Sequence, residues 1–362
     1  MKAYQSLKSV IVLLIALAMF PFTSFAEEDK SISEAEKEFN PTDMIMHHIG
    51  DAHGWHFWGE GHDAMTLPLP VILYTDNGLV TFMSSEFHHD TQGEHVVEKD
   101  GMRFVNYHED IYQLEEGASV VEFDAEHHPL NASKPYDFSI TKNVAAMFLT
   151  VIVMLVFFFG LTRHLKNRKK APKGMHNALE ALVLFVRDDI ARPQIGEAKY
   201  KKFMPFLLTV FFFIWITNML GLLPGAANVT GNISVTVSLG LVTLTLMLVN
   251  GNKDFWQHTL WMPGIPTFVK PILAVVELLG LFIKPIALMI RLFANITAGH
   301  IIILSLLGLI FILESAGVAG VSVPFALFIS VLELLVAFLQ AFIFTMLSAL
   351  FIGMSVAEHE HH

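Results

Sequence analysis

The sequence predicts an all-α polytopic membrane protein with two long, steeply tilted C-terminal helices and a small β-containing exported N-terminal domain. Three observations carry that expectation. Of 362 residues, 53% are hydrophobic and 16% charged, where an ordinary soluble domain carries about 25% charged residues. The charge is also divided: residues 27–141 hold 24 Asp/Glu against 5 Lys/Arg and 11 of the 18 His, whereas residues 142–362 hold 10 Asp/Glu against 16 Lys/Arg. Finally, Pro271 to Leu313 and Val321 to Ala357 are nearly continuous apolar runs of 43 and 37 residues.

Taken in order, residues 1–26 read as a signal peptide. Lys2 and Lys8 form a positive start, Val10 to Phe20 is an apolar core too short for a bilayer of ~30 Å, and Ala26 supplies the small residue before cleavage. An uncleaved signal anchor is the alternative. Residues 27–141 then form an acidic, His-rich domain whose poverty in Lys and Arg suits export to the periplasm. Val71 to Tyr74 and Leu79 to Met83 read as strands around Asp76-Asn77-Gly78, with Arg103 to Tyr107 and Ser119 to Phe123 as further strands.

Val144 to Leu161 is an uncharged 18-residue run followed by Arg163, Lys166, Arg168, Lys169, Lys170 and Lys173. The positive-inside rule puts its C-terminal end in the cytoplasm. Residues 175–192 alternate at helical spacing and suit a helix on the cytoplasmic face. Phe203 to Leu223 and Ile233 to Val249 are further spans, with residues 224–232 facing outside and 250–270 inside. The membrane part thus covers residues 142–357, and a short tail, 358–362, ends in the cytoplasm.

The last two runs exceed a membrane's thickness. At ~1.5 Å per residue the 37-residue run spans about 55 Å against a core of ~30 Å. Either a break intervenes, for which Lys284-Pro285 is the candidate, or both helices tilt far beyond the usual ~20°. Glu314 to Pro324, with Gly317 and Gly320, is the expected turn between them.

These runs keep a short list of expensive groups: Glu277, Lys284, Arg291, Asn295, His300, Glu333 and Gln340. An Arg or Lys at a helix centre costs about 2.5 to 3.5 kcal/mol even on lenient insertion scales, so such residues usually mark ion paths. At 100° per residue, Arg291 and Asn295 lie within about 40° of each other, Glu277 and Lys284 continue the stripe, and His300 falls opposite. Glu333 and Gln340, seven apart, share a face. Arg stays protonated and cannot relay protons, although it can favour ionisation of a passing carboxylate. His300 and Glu333 have the chemistry of a relay, while Asn295 and Gln340 can orient water. Blander roles compete: Arg291 could snorkel to the interface, His300 could be structural, and Lys284 reads as interfacial.

Lys284-Pro285-Ile286-Ala287-Leu288-Met289-Ile290-Arg291-Leu292-Phe293-Ala294-Asn295-Ile296-Thr297-Ala298-Gly299-His300 resembles the KPxxLxxRLFxNxxAGH signature of subunit a of the rotary F-type ATP synthase. Leu339 to Phe344 resembles the family's LQAFIF segment, and weaker likeness extends the resemblance over residues 136–357. The resemblance implies a proton-translocating stator with two half-channels, partnered by a c-subunit ring, a b-subunit peripheral stalk and lipid of the cell inner membrane. It implies that Arg291 is the essential arginine facing the ring, and that Asn295, His300, Glu333 and Gln340 line the outer half-channel. Glu277 matches a carboxylate of the cytoplasmic half-channel. Many bacterial members place the carboxylate first and the imidazole second; here His300 precedes Glu333, as in mitochondrial-type members. Family members typically have a short outer N-terminus, so residues 27–135 depart from the pattern.

No cofactor is expected. No GxxxxGK[ST] is present, so no nucleotide binds this chain, and it forms part of an enzyme rather than one alone. The absence of Cys excludes disulfides and thiolate metal sites, and the acidic excess argues against nucleic acid. His47, His48, His53, His56, His62, His88, His89, His95, His127 and His128 could bind a transition metal, but they lack HExxH spacing; a solvated His-rich surface is the favoured reading and no metal site is expected. A proton-buffering antenna is a third reading for these histidines. Rival functions are a sodium-translocating version of the same subunit, a secondary ion transporter, for which corresponding halves are not visible, and a sensor anchored by its membrane part.

Overall fold

The computed structural model describes residues 49–58, 65–115, 117–118, 120–124, 129–166, 174–223, 225, 227–262 and 264–357. The signal peptide and His47, His48, His62, His127 and His128 lie outside the described residues. The remainder is mostly helical with several long apolar helices, preceded by small β-sheets.

Among the described residues, nine short strands form three antiparallel sheets. Strands β1 (Gly54–Trp58) and β2 (Met65–Pro68) make one pair. The second sheet has the order β4-β3-β9, from β3 (Pro70–Thr75), β4 (Gly78–Met83) and β9 (Tyr136–Asp137). The third has the order β5-β6-β7-β8, from β5 (Val97–Lys99), β6 (Met102–Tyr107), β7 (Asp110–Leu114) and β8 (Ala132–Ser133). Alternation decides which faces are inside. Val71, Leu73, Val80 and Phe82 point inward with Phe87, Phe104 and Ile111, whereas Tyr74 and Leu79 on the opposite face are exposed. Gly78 closes the β3–β4 hairpin at φ 118°, a conformation that favours glycine.

The strand expected at Ser119 to Phe123 does not form among the described residues. Residues 120–123 form no ladder; the Asn131 side chain instead donates to Val120 O and accepts from Glu122 N. Strand β6 pairs with β5 on one side and with β7 on the other, the latter across a tight turn in which His108 and Glu109 both take positive φ. Alternation favoured residues 119–123 on composition alone, and pairing with a sequence neighbour costs far less chain entropy.

Helix α1 (Lys142–Lys166) follows. Helix α2 (Met175–Phe185) continues through a π-helical segment, Val186–Ala191, into α3 (Arg192–Ile195), so the expected surface helix is widened in its middle. Asp188 there bonds both Arg187 and Arg192 at 2.8 Å. Then come α4 (Tyr200–Gly221) and α5 (Ile233–Val249), the latter bent by 103° into α6 (Lys253–Leu260), a helix within the segment read as a loop. The long pair is α7 (Lys270–Leu313) and α8 (Ala316–Val356).

Among the described residues, four helices, α1, α4, α7 and nearly all of α8, are long and apolar enough to cross a membrane, or five spans if the bent α5–α6 pair counts as one. Helix α7 runs unbroken through Pro285, so the Lys284-Pro285 break does not occur. The turn between α7 and α8 is Glu314-Ser315 alone, with Glu314 at φ 44°. Gly317, Gly320 and Pro324 fall inside α8 rather than in the turn, because intrahelical hydrogen bonds are the cheapest way to satisfy the backbone in lipid. At 44 and 41 residues, the pair is longer than either apolar run suggested.

The helical core centres on α4, whose Leu207, Phe211, Phe212 and Ile214 are fully buried among Leu288 and Leu292 of α7 and Phe344 and Ile352 of α8. Glycines at 240 and 353 allow close approach. A Cβ on Gly240 of α5 would stand 2.5 Å from Met289 Cγ, and one on Gly353 of α8 would overlap the Gln194 carbonyl. The free carbonyls at the end of α8 are taken up from outside the helix: Lys199 Nζ and Asn252 Nδ2 both donate to Val356 O.

Candidate functional site

The polar residues of α7 and α8 meet at one point. His300 Nδ1 lies 3.1 Å from Glu333 Oε1 and 3.0 Å from the Ile296 carbonyl one turn back. Its Nε2 lies 3.1 Å from the Gly221 carbonyl at the end of α4. The ring therefore faces oxygen at both nitrogens, an arrangement that only the doubly protonated imidazole fills with two N–H donors. The same Nδ1 thus stands between the Ile296 carbonyl and the Glu333 carboxyl.

Glu333 is 5% exposed, yet neither carboxylate oxygen accepts an aligned hydrogen bond among the described residues. Buried carboxylates are normally paired or hydrated. Thr297 Oγ1, Asn218 Nδ2 and Thr345 Oγ1 are also buried and unmatched among the described residues. Each such group costs about 1–3 kcal/mol when left dry, and ordered water is the usual remedy. These unmatched atoms are polar groups in an otherwise apolar helix pack.

Sequence spacing does not show how Glu333 reaches His300. Residue 299 is glycine, and a Cβ there would stand 2.8 Å from Glu333 Cδ and overlap Oε1. The helices pass closely enough for contact only because that side chain is missing. The Gly221 carbonyl was equally invisible to sequence reasoning, since no periodicity marks a main-chain acceptor.

Arg291 lies nine residues before His300 on α7, about 14 Å along the axis at ~1.5 Å per residue. It is exposed and makes no hydrogen bond or ion pair with any described residue. Asn295, one turn on, is exposed as well. Gln340 is 3% exposed, two turns beyond Glu333. Glu277 is half-buried, about 21 Å from Arg291 along the helix. Lys284 lies with Nζ 5.9 Å from the Phe351 ring centre, a contact between α7 and α8. The structure thus joins His300 to Glu333 and leaves Arg291 and Asn295 open on another part of α7. In the β region, no group of three or more His, Asp or Glu among the described residues is arranged to hold a metal ion.

Comparison with known proteins matches residues 144–353 to the model of the ATP synthase A chain family. Residues 44–138 match a domain of unknown function (DUF8433). The chain is 48% identical over 252 residues to ATP synthase subunit a of Chloroherpeton thalassium, an alignment spanning 66% of this chain and 75% of that protein. It is 50% identical over 242 residues to ATP synthase subunit a of Chlorobium phaeobacteroides strain BS1, covering 63% and 68%. Against ATP synthase subunit a of Myxococcus xanthus it is 48% identical over 232 residues, covering 62% and 76%.

Proposed function

The chain belongs to the ATP synthase A chain family, a membrane component of an F-type ATP synthase rather than a standalone enzyme, and on that premise we propose that it is the proton-translocating stator subunit, with Arg291 as its essential arginine. The observation that carries this reading is the buried Glu333 carboxylate held against His300 without an aligned donor. A buried titratable pair is what a proton needs in order to enter between apolar helices.

In this reading a proton arrives from the periplasmic side at Glu333 and His300, helped by Asn295 and Gln340, and neutralises a carboxylate on the c ring. The neutral carboxylate can then travel through lipid. When the ring brings it to Arg291, the fixed cation favours the charged form and the proton leaves toward the cytoplasm past Glu277. Arg291 suits that task because it is exposed on α7 with no partner of its own among the described residues. The apolar outer surfaces of α7 and α8 fit a c-ring neighbour on one side and lipid on the other, and the b-subunit stalk would hold the assembly still. At 44 and 41 residues both helices must tilt steeply to stay in a core of ~30 Å. The chain is a multi-pass inner-membrane protein with residues 1–26 removed on export, residues 27–141 in the periplasm and the C-terminus in the cytoplasm.

The test is Arg291→Ala in the assembled complex. The variant should reach normal levels in the membrane yet lose ATP synthesis driven by a proton gradient, and an imposed sodium gradient should not replace protons in wild type. Wild-type coupling in Arg291→Ala overturns the mechanism, and sodium-dependent synthesis reassigns the ion.

A further inference from the structure

The β region and the helices touch at a few residues, and one of those contacts bears on His300. The Trp55 indole on β1 donates from Nε1 to the Gly225 carbonyl at 2.9 Å. The same ring packs against a buried cluster made by Ala227 and Val229 of the loop after α4 and Ala146 of α1. The backbones also meet: Gly225 has φ 71°, and a Cβ there would stand 2.8 Å from the Phe57 carbonyl oxygen and 2.9 Å from Phe57 Cα. One indole therefore grips the loop that joins α4 to α5.

That loop is tied to the end of α4. A Cβ on Gly221 would stand 3.4 Å from the Ala227 carbonyl, so the loop folds back over Gly221. The Thr230 hydroxyl donates to Asn218 Oδ1 at 2.6 Å, and Asn228 Oδ1 accepts from Gly231 N. Gly221 is the residue whose carbonyl meets His300 Nε2. Glu333 is the charged group that faces the same ring from α8.

We propose that Trp55 is a positioning residue for proton transfer: from the N-terminal β region it pins the α4–α5 loop and so holds the Gly221 carbonyl on His300. The inference rests on His300 lying in the proton path. It gives the added β region a mechanical part in the channel, distinct from the buffering its histidines could provide. An exported domain that only buffered protons would not need a tryptophan bonded to the loop behind the relay histidine.

The test uses the whole ATP synthase in membrane vesicles, with proton-driven ATP synthesis measured against pH on the side of the β region and normalised to the amount of this subunit. The variants are Trp55→Phe, Trp55→Ala, His300→Gln and the Trp55→Ala/His300→Gln double. Trp55→Phe keeps a ring but loses the donor. Its profile should move by about half a pH unit, the size set by losing one neutral hydrogen bond that favours one protonation state. Trp55→Ala should move at least as far with a rate several-fold lower, His300→Gln should flatten the profile, and adding Trp55→Ala to it should displace nothing further. Wild-type profiles for both Trp55 variants beside an altered His300→Gln overturn the proposal, as does failure of Trp55→Phe to assemble, which would make the contact merely structural. A wild-type profile for His300→Gln sinks instead the reading of the proton path.

Discussion

Gly299 and Glu333 occupy each other's space: a Cβ at 299 would press on the Glu333 carboxyl, 2.8 Å from Cδ. The contact between His300 and Glu333 therefore depends on the residue beside the histidine, which has no chemistry of its own. Gly299→Ala should push the carboxylate away and cut proton-driven ATP synthesis by tenfold or more in a complex that still assembles. Gly280 on the same helix is the control, because a Cβ there meets nothing within 4 Å. Gly280→Ala should leave the His300–Glu333 contact in place, with the helix itself favoured by about 1 kcal/mol.

Lys284 separates charge in the membrane from charge in the mechanism. Its ammonium lies over the Phe351 ring, a contact typically worth about 0.5–1 kcal/mol at exposed sites. Lys284→Met should leave coupled synthesis within about twofold of wild type, the apolar stem packing as before. A loss as large as that of Arg291→Ala would return Lys284 to the ion path.

The contact between α3 and α8 has no room for a side chain. Gly353 lies against the Gln194 carbonyl, and backbone cannot swing aside as a side chain does. Gly353→Ala should lower the amount of subunit retained in membranes and raise its sensitivity to added protease, while Gly320→Ala, in open space, should do neither.

Acid should loosen the β region through Asp137. Burial pushes its carboxyl up, but hydrogen bonds from His53 and Ser139 outweigh burial and hold it below the ordinary carboxylate range. A depressed folded value contributes stability that is present above the unfolded carboxylate pKa and is lost as pH falls through the folded one. Protease resistance of residues 49–141 in the intact chain, followed from pH 7 downward, should show Asp137→Asn weaker than wild type at neutral pH. The two should converge in acid, and a constant gap down to about pH 2, below ordinary carboxylate values, would remove the ionic role.

Composition and hydropathy determined much of this protein. The charge deficit, the uncharged runs and the polar residues left in the last two made a polytopic helical membrane protein with an ion path legible from the chain alone, and alternation found β3, β4 and β6. These features were legible because lipid and pleat geometry act on each segment locally. The pairing of β6 with β7, the unbroken passage of α7 through Pro285 and the shortness of the turn at Glu314-Ser315 were decided by which backbone groups found partners in the folded chain. Angular reckoning put His300 opposite Arg291 but could not say what it would face. That was decided in three dimensions, by a missing side chain at Gly299, a carbonyl at Gly221 and a tryptophan 170 residues before the loop it holds. Contacts made by backbone atoms or by empty space leave no periodic trace in a sequence, and only the packing of distant segments reveals them.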